Sequence, residues 1–298
     1  MIRKNILPLM LINGLFLTMV CAVAFAEHPA LAVMKLHSKP SEGIQTINPY
    51  TLSIFALYEL KHERNSEEVR QFILWYFGKL NYPDRNGLTG SVYDYELENG
   101  QERSTNQYDS VDGYAGLFLH LLHVYAVKTG DIKLVRDHWK KIEDIAYLIP
   151  FLQGKDSLTV ALPGRHEKYL MDNCEAYGGI SAFLALQNLA GKTNTAYYER
   201  IRMSIRQAIV TRLYEPKKKI FSWAIENDVK SRSQWKVFYP DAYAQLFPIY
   251  YNLLTSNPRL KRHLWNEFNR RYKAKVSGFP VEQRLMYELT ALAIKENK

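Results

Sequence analysis

Residues 108–130 read YDSVDGYAGLFLHLLHVYAVKTG. Val111, Tyr114, Ala115, Phe118, Leu121, Leu122 and Tyr125 recur at the three- and four-residue spacing of one helix face. Gly130 ends the run, as a residue free to take positive φ does at a helix C-terminus. The stretch therefore predicts a helix beginning at Asp109, and Asp131 stands ready to cap a further helix at once. Two helices joined by so short a turn must run antiparallel, and this hairpin is the unit from which the rest is read.

The pairing recurs in both directions along the chain. Helices are expected over about 50–63 and 67–80, meeting at Arg64-Asn65-Ser66 with Ser66 as N-cap, and over about 172–190 and 193–213, meeting at Gly191-Lys192. Another pair, about 241–254 and 258–272, meets at Thr255-Ser256-Asn257, and a ninth helix covers about 281–295. Residues 27–48 lack the period and read as an irregular lead-in. Three connections between hairpins are long: 81–108, 154–171 and 214–240. If hairpins follow one another round a ring, all odd-numbered helices point the same way, so their N-termini and the long loops gather at one end. Long loops on a rigid scaffold are where binding and catalysis concentrate. Strand-like runs at 90–97 and 220–225 predict small β-hairpins roofing a cleft there.

Composition bounds the rest. The 298 residues are 47% hydrophobic and 13% aromatic, which excludes a disordered chain, and two cysteines cannot form a disulfide scaffold. Arg3 and Lys4 precede an apolar run over 6–26 that ends in Ala24-Phe25-Ala26, the order of a signal peptide cleaved before Glu27. Pro8, Asn13 and Gly14 argue against an uncleaved anchor, and Val20 before Cys21 against a lipid anchor. The expectation is a signal peptide over 1–26, one domain over 27–298, a periplasmic or secreted location, and no stable membrane insertion after cleavage. A net charge of +9 comes from scattered groups such as Lys217-Lys218-Lys219 and the helix from Arg259 to Arg271, so solvated faces rather than nucleic-acid binding are expected.

Acids stand at the start of three odd helices: Asp109 with Asp112, Asp172 with Glu175, and Asp241 after Tyr239-Pro240. Taken singly these are caps: Asp109 as N-cap, Asp172-x-x-Glu175 as a capping box, and Pro240-Asp241 as a first turn. Topology brings all three to one rim, and in the first two pairs one carboxyl can cap while the other faces elsewhere. Aromatic side chains on the loops, Trp223 and Trp235 foremost, with Tyr108, Tyr239, Asn173 and Gln245 nearby, supply the flat faces and amides that sugar rings and hydroxyls require. Paired acids suit hydrolysis of a glycosidic bond, one carboxyl protonated and one ionised. Glu175 is the expected acid and Asp112 the base, with Tyr108, Asp109, Asp172, Asn173, Trp223, Trp235, Tyr239, Asp241 and Gln245 as substrate-binding candidates.

The runs Tyr82-Pro83-Asp84, Gly87-Leu88-Thr89-Gly90, Tyr93-Asp94-Tyr95, Tyr108 to Ala115, Tyr169 to Glu175 and Phe238 to Pro248 resemble the bacterial six-hairpin-glycosidase-like proteins, over most of 50–254. The resemblance implies an all-α fold, an (α/α) toroid of antiparallel hairpins whose helix-end cleft binds carbohydrate, and in many members hydrolysis by two carboxyl groups. Nine helices against the twelve of a full ring make the toroid incomplete. The resulting expectation is a hydrolase of a bacterial polysaccharide. Its alternatives are a non-catalytic carbohydrate-binding or envelope-assembly factor, and a lyase with Tyr108 or Tyr239 as base. No cofactor and no metal are expected. His120 and His123 lack an accompanying glutamate motif and read as packed side chains, and Cys174 as a small buried residue.

Overall fold

The computed structural model describes residues 27–39, 43–193 and 195–296; the expected signal peptide lies outside them. The helices are α1 (Pro29–Lys35), α2 (Pro49–Lys61), α3 (Ser66–Gly78), α4 (Val111–Thr129), α5 (Ile132–Asp137), α6 (Trp139–Leu152), α7 (Leu170–Ala190), α8 (Ala196–Ala208), α9 (Phe247–Tyr250), α10 (Pro258–Tyr272) and α11 (Val281–Glu296). Five of them form an inner ring. α4 packs on α2 and α7, α9 on α7 and α11, and α11 returns to α2. Outside it, α3 covers α2 and α4, α6 covers α4 and α7, α8 covers α7, and α10 covers α9. The molecule is an (α/α) toroid, short of a full twelve-helix ring yet closed, because α11 bridges the gap that the hairpin count left open.

Burial follows position in the ring. About three quarters of the residues of α4 and α7 are buried, whereas α8 buries only Ile205 and Ala208 and α10 one stripe of Leu260, Leu264, Phe268 and Tyr272. The closest seam joins α4 to α7. A Cβ on Gly116 would lie 2.4 Å from the Glu175 carbonyl oxygen, and one on Gly179 2.4 Å from Gly116 Cα, so the backbones meet where only hydrogen fits between them.

Several expectations change. The lead-in is ordered: α1 buries Ala30 and Val33 against α2 and α3, and β1 (Gln45–Ile47) pairs with β2 (Tyr95–Glu98), which pairs with β3 (Gln101–Ser104). A seven-residue helix has too little periodicity to announce itself and is held by packing. The fourth expected helix breaks at His138 into α5 and α6. The helix expected over 241–254 shrinks to a π-helical turn over 238–242 and the four-residue α9, ending before Asn252 at φ 53°. Ser66 opens α3 rather than capping it, the cap position being Asn65 at φ 51°. The short strands β4 (Lys168–Tyr169), β5 (Tyr214–Glu215), β6 (Ile220–Phe221), β7 (Ala224–Glu226) and β8 (Val229–Ser231) form a three-stranded sheet, β4-β7-β8, and a two-stranded one, β5-β6. They lie in the second and third long loops: β6 and β7 fall on the run expected at 220–225, β4 was not expected, and the run expected at 90–97 is strand only from Tyr95, as β2. No helix among the described residues is long and apolar enough to cross a membrane.

Candidate active site

The first turns of all the inner helices meet at one hollow. Asn48, Tyr50 and Thr51 come from α2, Asp109, Ser110 and Tyr114 from α4, Met171 and Asp172 from α7, Tyr239 and Tyr243 from the segment before α9, and Glu282 and Gln283 from α11. A second lobe adds Tyr169, Trp223 and Pro240 and shares Asp109, Ser110, Met171, Asp172 and Tyr239 with the first. The lobes measure about 190 and 250 Å3 and form one cleft with Asp109 and Asp172 at its waist.

Each wall has a local cause. Asn48 caps α2 by accepting from the Thr51 N–H at 2.8 Å, and its amide donates to Tyr114 Oη at 2.8 Å and Asp94 Oδ1 at 3.2 Å. The Tyr114 hydroxyl also donates to Asp94, whose carboxyl burial pushes up to about 6. The start of α4 is met by the neighbouring loop, Val111 N–H donating to the Ala161 carbonyl at 2.8 Å, so Ser110 at the cap position makes no capping bond. Trp223 is fixed by backbone bonds to Leu170 and Ser231 and lies parallel to Tyr169, centroids 6.4 Å apart. Tyr239 is 54% exposed and stands over both lobes.

Beneath the waist lies a cluster of acids. Asp172 is 9% exposed, with Oδ2 buried and unpartnered among the described residues. Glu175, 1% exposed, accepts from the Tyr50 hydroxyl at 2.7 Å through Oε1, while its Oε2 has no partner among them. Asp112 is fully buried and accepts from the Thr159 hydroxyl and the Gly113 N–H. Burial pushes the Asp112 carboxyl up to about 7. Asp172 is driven well above the ordinary carboxylate range by burial first, then by the charges of Asp112, Glu175 and Asp109. Glu175 is raised likewise by burial, the Tyr50 hydrogen bond opposing. A buried carboxylate oxygen without a donor is costly when charged, which drives Asp172 and Glu175 toward the protonated form.

The expected site residues separate into three groups. Asp109, Asp172, Trp223 and Tyr239 line the cleft. The expected catalytic pair, Asp112 and Glu175, sits under its floor with no open face, since α4 begins at Val111 and α7 at Leu170 and the tight seam encloses both side chains. The expected caps are absent: Asp109 is exposed beside Ser110, and α7 begins before Asp172, so no capping box forms. The remaining candidates hold loops. Asn173 pins Thr159 and Tyr169 through its amide, Tyr108 donates to Asp84, Asp241 accepts from the Gln234 and Lys236 N–H groups, and Gln245 brackets Phe221 and reaches Ser233. Their polar atoms are spent within the protein. Trp235 lies outside the cleft lining, in a separate hollow.

Tyr50, Ser110, Met171, Tyr243 and Glu282 went unmarked in the sequence. The signal that finds them is the ring rule itself, because a first-turn residue of every odd helix must face the shared end. Among the described residues no three His, Cys, Asp or Glu side chains are grouped to hold a metal ion. Half-buried His120 meets the Tyr250 hydroxyl at 3.1 Å, and desolvation, with His123 and Lys61 adding, lowers it to about 3. Burial raises the Cys174 thiol well above its usual value, the opposite of nucleophile activation.

No family model matches the chain, and no curated protein does. Among solved structures, a GH76 α-mannanase from Bacteroides thetaiotaomicron is similar over 90% of this chain and 77% of its own, at 10% identity and TM-score 0.59. A family 8 endoglucanase from Klebsiella pneumoniae matches over 90% and 100%, at 12% identity and TM-score 0.54. A cellobiose 2-epimerase from Bacillus thermoamylovorans matches over 85% and 74%, at 12% identity and TM-score 0.53. The fold is therefore an (α/α) toroid like that of these structures.

Proposed function

We propose that the chain is a glycoside hydrolase acting on a polysaccharide, with Asp172 as general acid and Asp109 as the base or nucleophile. The observation that carries this is the waist of the cleft. A nearly buried, proton-holding carboxyl and an exposed one stand side by side where two lobes meet, as acid and partner must flank a scissile bond between two sugar units. Asp112 and Glu175 act through Asp172: burial keeps its proton on, and ionisation of either neighbour makes that proton harder to lose. Trp223 and Tyr169 offer parallel aromatic faces in one lobe, and Tyr239 stands over both, as ring stacking requires. The α-mannanase, the endoglucanase and the cellobiose 2-epimerase of similar fold are all named for work on carbohydrate, in keeping with this reading. The signal-like order of 1–26 supports export, with the substrate outside the cytoplasm.

The test is a reducing-end assay of the purified protein on neutral and acidic polysaccharides. Saturated reducing ends should form, and Asp172→Asn and Asp109→Asn should each slow their release by about 10²–10⁴-fold. An ultraviolet-absorbing unsaturated product would instead make the protein a lyase. Retention on a polysaccharide gel without any product would make it a binding protein.

A further inference from the structure

A second hollow, of about 380 Å3, lies away from the acid cluster and is lined by Lys218, Ile220, Ser233, Gln234, Trp235 and Lys236. We infer that it is a subsite for a carboxylate-bearing sugar of the same polymer, an inference that rests on the carbohydrate reading above. Half-buried Trp235 presents an aromatic wall, Gln234 an amide, and Lys218 and Lys236 two ammonium groups that make no ion pair among the described residues. The acid carried by β5 does not neutralise them, since Glu215 is taken by Lys230 at 3.2 Å. An aromatic face with two unpaired cations matches a ring that carries a negative charge, whereas a neutral sugar would leave both lysines idle.

The hollow is built rather than incidental. Trp235 is held at φ +60°, a backbone region that a bulky side chain rarely adopts. The strain is maintained from both sides. The Asp241 carboxylate accepts from the N–H groups of Gln234 and Lys236, either side of the tryptophan, and the Tyr272 hydroxyl donates to the Trp235 carbonyl at 3.0 Å. Gln245 anchors Ser233 at 3.1 Å and Phe221 next to Ile220. Asp241 and Gln245, buried and outside the cleft lining, therefore shape this loop and are positioning residues for it. The hollow also adjoins the cleft. Lys236 and Tyr239 are three positions apart, as are Ile220 and Trp223, which limits each step to about 11 Å of chain. One oligosaccharide can thus occupy both.

Affinity electrophoresis of the full protein in gels containing polygalacturonate, its methyl ester, alginate or hyaluronate tests the inference. The protein should be retarded by at least one acidic polymer and, where polygalacturonate retards it, less by the methyl ester. A Lys218→Gln/Lys236→Gln variant should lose about tenfold in apparent affinity, Trp235→Ala should also weaken it, and Lys217→Gln/Lys219→Gln should match the wild type. No retardation by any acidic polymer, or an equal loss in the Lys217/Lys219 control, overturns it. A hydrolysis assay run beside the gels keeps the two ideas apart. Lysine-dependent retention with no hydrolysis of any polymer leaves the subsite standing and removes the hydrolase. Hydrolysis with retention unaffected by the lysine variant does the reverse.

Discussion

Asp172 owes its proton to burial and to two acids that never meet the substrate space, Asp112 and Glu175. Removing the larger of those charges has a signed consequence. In Asp112→Asn the Asp172 carboxyl ionises more easily, so the alkaline limb of the pH–rate profile, where the general acid is lost, should move to lower pH while the acidic plateau survives. A pH profile of reducing-end release checks this, and activity lost at every pH would mean that Asp112 is itself a reacting group. The same residue shows how far sequence reading reaches at this scale. That acids crowd the starts of α4 and α7 is plain from Asp109, Asp112, Asp172 and Glu175. Which of them is open to solvent depends on where each helix starts, and one residue of shift turns a side chain by about 100°.

Among the elements, the seam of α4 against α7 sets the spacing of the site. Gly116 and Gly179 let the two backbones touch, and Gly113 leaves room for Ser110, Glu175 and Asp172 around one point. Gly116→Ala would drive a methyl to 2.4 Å from the Glu175 carbonyl oxygen, and should cost about 1–3 kcal/mol or more in urea unfolding. Gly78→Ala, at the end of α3 with nothing within 4 Å, should instead be neutral or stabilise by up to about 1 kcal/mol. The N-terminus of α2 is a second point of leverage. Asn48→Ala removes a cap and the bonds to Tyr114 and Asp94, and should lower stability by about 1–2 kcal/mol in the same measurement. The long periodic helices were legible in advance, α10 to the residue. The segment around α9 was not, because its apolar residues keep a helical spacing while its backbone turns off it.

For the molecule as a whole, the protonated interior makes stability depend on pH in two directions. His37, His120 and His123 are held below the usual 6.5, chiefly by burial, so they add stability as the pH rises to about 7. Asp112, Asp172 and Glu175 are raised, so the folded chain holds protons that the unfolded chain has already released. Their contribution is complete below the ordinary carboxylate value and is lost as the pH climbs, for Asp112 through about 7. Acids held low, such as Glu63 hydrogen-bonded to Lys128, titrate below this window. Thermal unfolding of the wild type and Asp112→Asn, compared from about pH 4 to 8, should therefore show the wild type losing Tm relative to the variant as the pH rises to about 7; a difference that stays constant over that interval would contradict the buried Asp112 carboxyl.

The alternation of short turns and long loops is a property of the sequence alone, and it determined the hairpins, their common direction and the end of the molecule at which the cleft opens. Local spacing suffices for that, because a short turn leaves two helices no choice but to run antiparallel. The closure of the ring by α11, the burial of Asp112 and Glu175, and the separate hollow around Trp235 were decided by tertiary structure. Each depends on contacts between segments far apart in the chain, which no local pattern encodes. A glycine seam fixes how near two helices come, and that distance decides which carboxyl meets water and which keeps its proton.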